Sequence, residues 1–270
     1  MRIHLVQNDA VWNRPEQSLK ELDLLISNYF LNESKEGLLV LPEMFAHGFV
    51  TEIDITKNQA IILHNQLMIL DWMKKTANLY NVIVTGSIQC LQGGSLYNRL
   101  YAIGKDSSLE TADYYDKRHL FSLAGENIHF SAGVRRSCWE FSGWKLLPSI
   151  CYDLRFPVWM RNQADYHLIL CVANWPKTRS YAWRSLLIAR AIENQSYVVG
   201  VNRVGVDGTG TLYAGGSMVV GPDGAVLSQM DDQKGIKGQD LDAHALAVFR
   251  RAYPFLADAD SFTLTSNSTV

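Results

Sequence analysis

The sequence predicts a layered α/β protein with a mixed sheet or two sheets. Short apolar runs alternate with segments of helical period early in the chain, a middle stretch pairs strand-like runs with no helix between them, and the alternation resumes after Cys151. Arg2 to Gln7 and Leu38 to Leu41 have β character, and between them Leu19, Leu22, Leu25, Ile26 and Tyr29 recur at the spacing of one helix face. Ile62, Leu63, Leu67, Leu70, Met73 and Ala77 mark a second amphipathic helix, which leads into a strand from Val82 to Ile88. Gly93-Gly94-Ser95 then reads as a hairpin turn, with Leu96 to Ile103 and Thr111 to Tyr115 as paired strands. Trp144 to Ile150 looks like a buried strand, a helix-like stretch follows Cys151, and Tyr166 to Ala173 is the next strand. Tyr181 to Asn194 is a third helix, Tyr197 to Val201 a strand, and Gly215 to Leu227 a last hairpin around Pro222-Asp223-Gly224.

A chain of 270 residues, 47% hydrophobic and 19% charged, can bury one sizeable core, so residues 1–270 are expected to form a single domain. The net charge of -2 leaves no basic excess for nucleic acid or an anionic membrane surface, and the apolar runs are too short to span a bilayer. Met1 to Asp9 meets an acid before any signal-peptide core develops, and Cys90, Cys138, Cys151 and Cys171 are widely spaced, with no Cys/His pairing at metal-ligand distances. Reduced thiols in a cytoplasmic protein are the expectation, with neither a disulfide framework nor a metal site.

The reactive residue types collect where strand-like runs stop. Cys151 ends the run from Trp144, Glu43 follows Leu38-Leu39-Val40-Leu41-Pro42, and Lys117 follows Tyr114-Tyr115-Asp116. Each has an ordinary reading alone: a packed thiol, a loop acid, a solvated cation. Together they can do chemistry. A carboxylate can take a thiol's proton, and a nearby ammonium can face the negative charge that develops on a carbonyl oxygen under thiolate attack. No histidine is required, and His119 reads as a hydrogen-bonding residue or a packed aromatic.

Leu41-Pro42-Glu43-Met44-Phe45, Asp116-Lys117-Arg118-His119-Leu120-Phe121 and Cys151-Tyr152-Asp153-Leu154-Arg155-Phe156-Pro157 resemble, in order, the three signatures of the nitrilase (carbon-nitrogen hydrolase) superfamily. The likeness runs from about Arg2 to Phe262, through Ala173-Asn174-Trp175-Pro176 and Arg190 to Gln195. It implies an α-β-β-α sandwich and the pairing of two subunits into a homodimer. It also implies catalytic roles for Glu43 as general base, Lys117 as oxyanion-stabilising cation and Cys151 as nucleophile, with the Tyr152 N–H as second oxyanion donor. Glu126 matches a second glutamate that orients the lysine, and the implied cycle needs neither metal nor organic cofactor.

Within the superfamily the chain is most similar to the bacterial omega-amidase branch, which implies hydrolysis of 2-oxoglutaramate or 2-oxosuccinamate and metabolic coupling to an aminotransferase. Another amidase or an N-carbamoyl hydrolase is the alternative. A small anionic amide calls for cations and N–H donors around its carboxylate end. Arg118, Arg155, Lys177 and Arg179 are the candidates, with Arg155 read in preference as a structural partner of Asp153 or Glu126, and Trp175 as either pocket wall or core. Asn127, and Gly215-Gly216-Ser217 in place of the more usual Gly-His-Ser, are departures that bear on selectivity rather than on the triad.

Overall fold

Alternation along the first strand decides the layering. In β1 (Arg2–Gln7), Ile3 and Leu5 join one buried cluster and Val6 another, while the His4 ring packs edge-on against Tyr29 and Phe30 of the helical layer. β2 (Leu38–Val40) repeats the pattern: Leu38 and Val40 face one side, and Leu39 and the following Leu41 the other. A strand apolar on both faces must be covered twice, so this sheet lies between two layers. The computed structural model describes residues 1–105, 112–163 and 166–264.

The first sheet runs β14-β1-β2-β3-β4-β5, adding β3 (Ile83–Gln92), β4 (Ser95–Ile103), β5 (Asp113–Asp116) and β14 (Gly235–Asp240). β1, β2 and β3 are parallel, and β4, β5 and β14 pair antiparallel. The Gly93–Gly94 turn joins β3 to β4 with both residues at positive φ, 57° and 79°, as a tight hairpin requires. Thr111, the expected start of the following strand, lies outside the described residues. Helices α1 (Pro15–Tyr29) and α2 (Ile55–Tyr80) cover the outer face with Leu19, Leu22, Ile26, Ile69, Leu70, Met73 and Ala77. α2 begins earlier than its apolar period suggested, capped by Asp54, and it exposes Leu63 and Leu67, which the sequence placed on the buried face.

The second sheet runs β13-β12-β9-β8-β7-β6: β6 (Trp139–Phe141), β7 (Trp144–Ile150), β8 (Leu168–Ala173), β9 (Tyr197–Asn202), β12 (Met218–Val220) and β13 (Val226–Gln229). Here too the three central strands, β7, β8 and β9, are parallel. One core cluster joins Ile3, Leu5, Leu38, Val40, Leu100 and Ala102 of the first sheet to residues of β7, β8 and β9. Helix α5 (Ser180–Asn194) covers the far face with Trp183, Leu187 and Ala191, completing the expected four-layer α-β-β-α sandwich. Instead of a full helix, the stretch after Cys151 makes a 3₁₀ turn, Cys151–Arg155, and a single turn α4 (Pro157–Met160). Sequence periodicity also missed several pieces, among them the edge strand β6, a small hairpin of β10 (Val204–Val206) with β11 (Leu212–Ala214), the edge strand β14, and α6 (Ala243–Ala252), which Arg250 ties to the carbonyls of Gln195 and Tyr166. No helix among the described residues is long and apolar enough to cross a membrane.

In both sheets the parallel strands point the same way toward the site. The ends of β2, β5, β7 and β8 lead directly into Leu41-Pro42-Glu43, Lys117, Cys151 and Asn174, the crevice outside the carboxyl ends of strands where α/β folds place their reactive groups.

The α5–β9 contact is tight enough to test. A Cβ on Gly200 would stand 2.5 Å from Leu187 Cδ1 and 2.9 Å from Trp183 Cζ2. Leu187→Ala is expected to lower stability by about 2–5 kcal/mol, and Gly200→Ala by about 1–3 kcal/mol through overpacking. The double variant is expected to lose less than the sum, because the truncated leucine leaves room for the new methyl. Denaturant titration of all four proteins measures the coupling.

Candidate active site

Glu43, Lys117 and Glu126 form a charged cluster from which water is excluded. Lys117 Nζ lies 2.8 Å from Glu43 Oε1 and 2.8 Å from Glu126 Oε2, and all three side chains have no exposed surface. Local chemistry explains each placement. Leu41 N–H still donates to Thr85 O, so β2 continues one residue before Pro42 ends the ladder. Met44 then turns at φ 44°, with its N–H on Ser87 Oγ, and Glu43 is fixed between. Lys117 extends β5 by one hydrogen bond to Asn98 O. Glu126 opens the short helix α3 (Glu126–His129) after Gly125 at φ 70°, and its Oε2 accepts Phe121 N–H at 2.6 Å.

The remaining donors complete the shells of both carboxylates. Asn98 Nδ2 donates to Glu43 Oε1 at 2.8 Å and to Glu126 Oε1 at 3.1 Å, while Asn174 N–H donates to Glu43 Oε2 at 2.8 Å. Burial disfavours the Lys117 ammonium, but Glu126 and Glu43 more than offset it and its pKa is raised, so it is a permanent cation. Burial raises the pKa of Glu126, with Lys117 opposing and Glu43 reinforcing the shift.

Cys151 stands at the end of β7 in the left-handed region, at φ 46°. A non-glycine residue there is strained and needs outside support. Asp153 supplies it: one oxygen accepts Ile150 N–H at 3.0 Å and Tyr115 O–H at 2.9 Å, and the other accepts His119 N–H at 2.9 Å and meets the His119 ring at 2.8 Å. The His119 ring stacks on Phe156 at 3.7 Å, so it is both the packed aromatic and the hydrogen-bonding residue that the sequence left as alternatives. The half-buried thiol lies 3.8 Å from Asn174 O. Burial and the facing Glu43 carboxylate push its pKa well above the ordinary value, with Lys117 pulling the other way. At neutral pH the sulfur therefore rests as a thiol and needs a base. Cys171 is also buried, its thiol pushed up to about 12 by burial, and among the described residues no carboxylate or imidazole is hydrogen-bonded to it.

A cavity of about 820 Å³ opens over this cluster, with Glu43, Lys117, Cys151, Tyr152, Arg155 and Trp175 among its walls. A buried base, a buried cation and a thiol on a strained turn beneath a cavity suit acyl transfer. Residues 2–251 match the family model of the carbon-nitrogen hydrolases. The chain belongs to that family. Among curated relatives, it is 39% identical to omega-amidase YafV of Escherichia coli (strain K12) over 98% of both chains, and 33% identical to 2-oxoglutaramate amidase of Bacillus subtilis (strain 168) over 95% of this chain and 96% of that one. Among solved structures, it superposes on XC1258 of Xanthomonas campestris, a CN-hydrolase superfamily protein with an arsenic adduct in its active site, with a TM-score of 0.87 and 36% identity, covering 98% of this chain and 99% of that one.

The hydrolase brings Glu43, Lys117, Glu126 and Cys151 together, with Tyr152 and Trp175 on the cavity wall. Trp175 is wall and core at once: 3% exposed, with its N–H on Asn202 Oδ1 and its ring N–H on Arg179 O. Arg179 and Lys177 also line the cavity, with Arg179 over the Phe121 ring. Arg118 does not: its guanidinium donates to Gly133 O and lies over Trp159, beside a separate cavity. The preferred reading of Arg155 also fails, because Asp153 and Glu126 are occupied by other donors and the guanidinium sits over the Trp175 ring, 4.8 Å from its centroid, facing the cavity. The sequence reading gives Asn98 no role, and Asp153 only that of a partner for Arg155. A lone asparagine inside an apolar strand run, where asparagine is depleted, was the available signal for Asn98.

Replacing Lys117 by Met leaves two carboxylates facing each other out of water. Loss of one partner from a buried ion pair costs about 3–5 kcal/mol. A carboxylate whose folded pKa is raised contributes stability that is present below its unfolded pKa and lost as pH rises. The deficit of Lys117→Met relative to the parent is therefore expected to be small near about pH 5 and to widen toward about pH 8. Melting temperatures of both proteins across that range measure it.

Proposed function

We propose that this hydrolase is an omega-amidase, cleaving the terminal amide of 2-oxoglutaramate or 2-oxosuccinamate to the 2-oxo dicarboxylate and ammonia. The observation that carries the reading is the Glu43–Lys117–Glu126 cluster sharing a cavity with Cys151, in a chain whose near full-length relatives are named for that activity. Glu43 removes the thiol proton as sulfur attacks the amide carbon, and Lys117 with the Tyr152 N–H holds the tetrahedral oxyanion. The proton passes from Glu43 to the leaving nitrogen, ammonia departs and a thioester remains. Glu43 then deprotonates a water that attacks the thioester, and the proton goes back to sulfur as the acid leaves. Oε2 of Glu43 suits this traffic, since Oε1 is taken by Lys117 and Asn98 while among the described residues Oε2 accepts only the Asn174 N–H. Glu126, bidentate on Lys117, keeps the ammonium aimed.

Arg155, on a cavity wall with its cationic face over Trp175, is the proposed partner of the substrate's distal carboxylate, and Arg179 and Lys177 widen the cationic side of the cavity. We further read residues 1–270 as one catalytic domain working in the cytoplasm beside an aminotransferase that produces the 2-oxo acid amides, and as a homodimer. The outer face of α5 supports pairing: Tyr181 is 86% exposed and Ile192 51%, side chains that a second copy can cover.

Ammonia release from 2-oxoglutaramate, 2-oxosuccinamate, glutamine, an N-carbamoyl amino acid and a nitrile tests the substrate class. Turnover of the two 2-oxo acid amides well above the others is expected; turnover of the carbamoyl compound alone identifies the alternative reading. Cys151→Ala and Cys151→Ser are expected to fold and to lose turnover entirely. Arg155→Met is expected to raise KM for the 2-oxo acid amides about 10- to 100-fold, the loss of a charge-assisted hydrogen bond, with a smaller effect on kcat.

A further inference from the structure

Asn98 touches every charged member of the cluster. Its carbonyl holds the Lys117 N–H at 2.9 Å, and its side-chain nitrogen spans the two carboxylates, 2.8 Å from Glu43 Oε1 and 3.1 Å from Glu126 Oε1. The residue has no exposed surface, and its side-chain oxygen has no hydrogen-bond partner among the described residues. A buried amide oxygen left unpaired is costly, so the amide is oriented by what its nitrogen does. The placement follows from the sheet: Asn98 pairs with Gln89 of β3 on one side and with Lys117, just past the end of β5, on the other.

We propose that Asn98 is a positioning residue that sets the proton affinity of Glu43 and divides its two oxygens by task. With Lys117, the amide fills Oε1 and directs proton transfer to Oε2. Its two N–H bonds go one to each carboxylate, so it lowers the proton affinity of both without adding a charge to a cluster where Lys117 alone balances two acids. A lysine in its place would bring a second cation and neutralise the base; an aspartate would add a third acid.

The inference rests on Glu43 being the base for Cys151, as in the proposed amidase cycle, but its test does not need the substrate to be right. The rate at which iodoacetamide alkylates Cys151, followed by intact mass across a pH series, reports on the thiol and its base directly. In Asn98→Leu, which keeps the shape and removes both N–H groups, the acid limb of that profile is expected to move upward by about one pH unit. In assays of 2-oxo acid amides, kcat is expected to fall at least about tenfold with KM within about threefold. Asn98→Asp, which fits the same space, is the second variant should the leucine protein fail to fold, and its acid limb is expected to move upward too. An acid limb unchanged in whichever variants fold overturns the proposal. If the parent hydrolyses no 2-oxo acid amide but the alkylation limb still moves, the substrate assignment fails and the role of Asn98 stands.

Discussion

A lysine ammonium held entirely out of water between two carboxylates is the constraint on which this structure turns. Burying an ion costs several kcal/mol even after relaxation, and the cluster holds three ionisable groups, so the ammonium and both carboxylates need hydrogen-bond partners close around them. The backbone supplies part of what is needed: the N–H groups of Phe121 and Asn174 each meet one carboxylate. That requirement explains why irregular segments between strands, normally a surface feature, are buried here, and why Pro42, the Met44 turn and the Gly125 turn stand where they do.

The nucleophile is governed by a different device. Its reactivity does not come from a thiolate waiting at rest, because burial and the facing carboxylate hold the proton on sulfur. Backbone geometry presents the sulfur, and Asp153 with its four contacts keeps that geometry from relaxing. The sulfur becomes nucleophilic through a base that acts as bond formation begins.

Much of the fold was legible because period and burial coincide: β1, β2 and β8 read as strands, and α1 as a helix, from their apolar residues alone. The edge strand β14, with Lys237, Gln239 and Asp240, carries little apolar signal and takes its structure from pairing with β1, which no local pattern records. Leu63 and Leu67 share the period of the buried residues of α2 yet face solvent, since period gives a stripe without saying how wide a strip the sheet beneath can cover. Ordered motifs exposed the triad. They could not separate Arg118 from Arg155, because which of two arginines enters a cavity depends on the turn each leaves from. Asn98 stayed hidden since its value lies in two acids remote in sequence, Glu43 and Glu126.

The site draws its halves from opposite sheets. Glu43 and Lys117 leave the first, Cys151 and Asn174 the second, and the bond from Asn174 N–H to Glu43 spans 131 residues of chain. Contacts of such separation form late, after the loops between them have been closed. Until the two sheets meet face to face, the thiol has neither base nor cation beside it, and the chain carries only an ordinary cysteine. The joining of the sheets is therefore also the moment at which the chemistry switches on, so that a molecule with catalytic competence is, by construction, one whose most distant parts have already found each other.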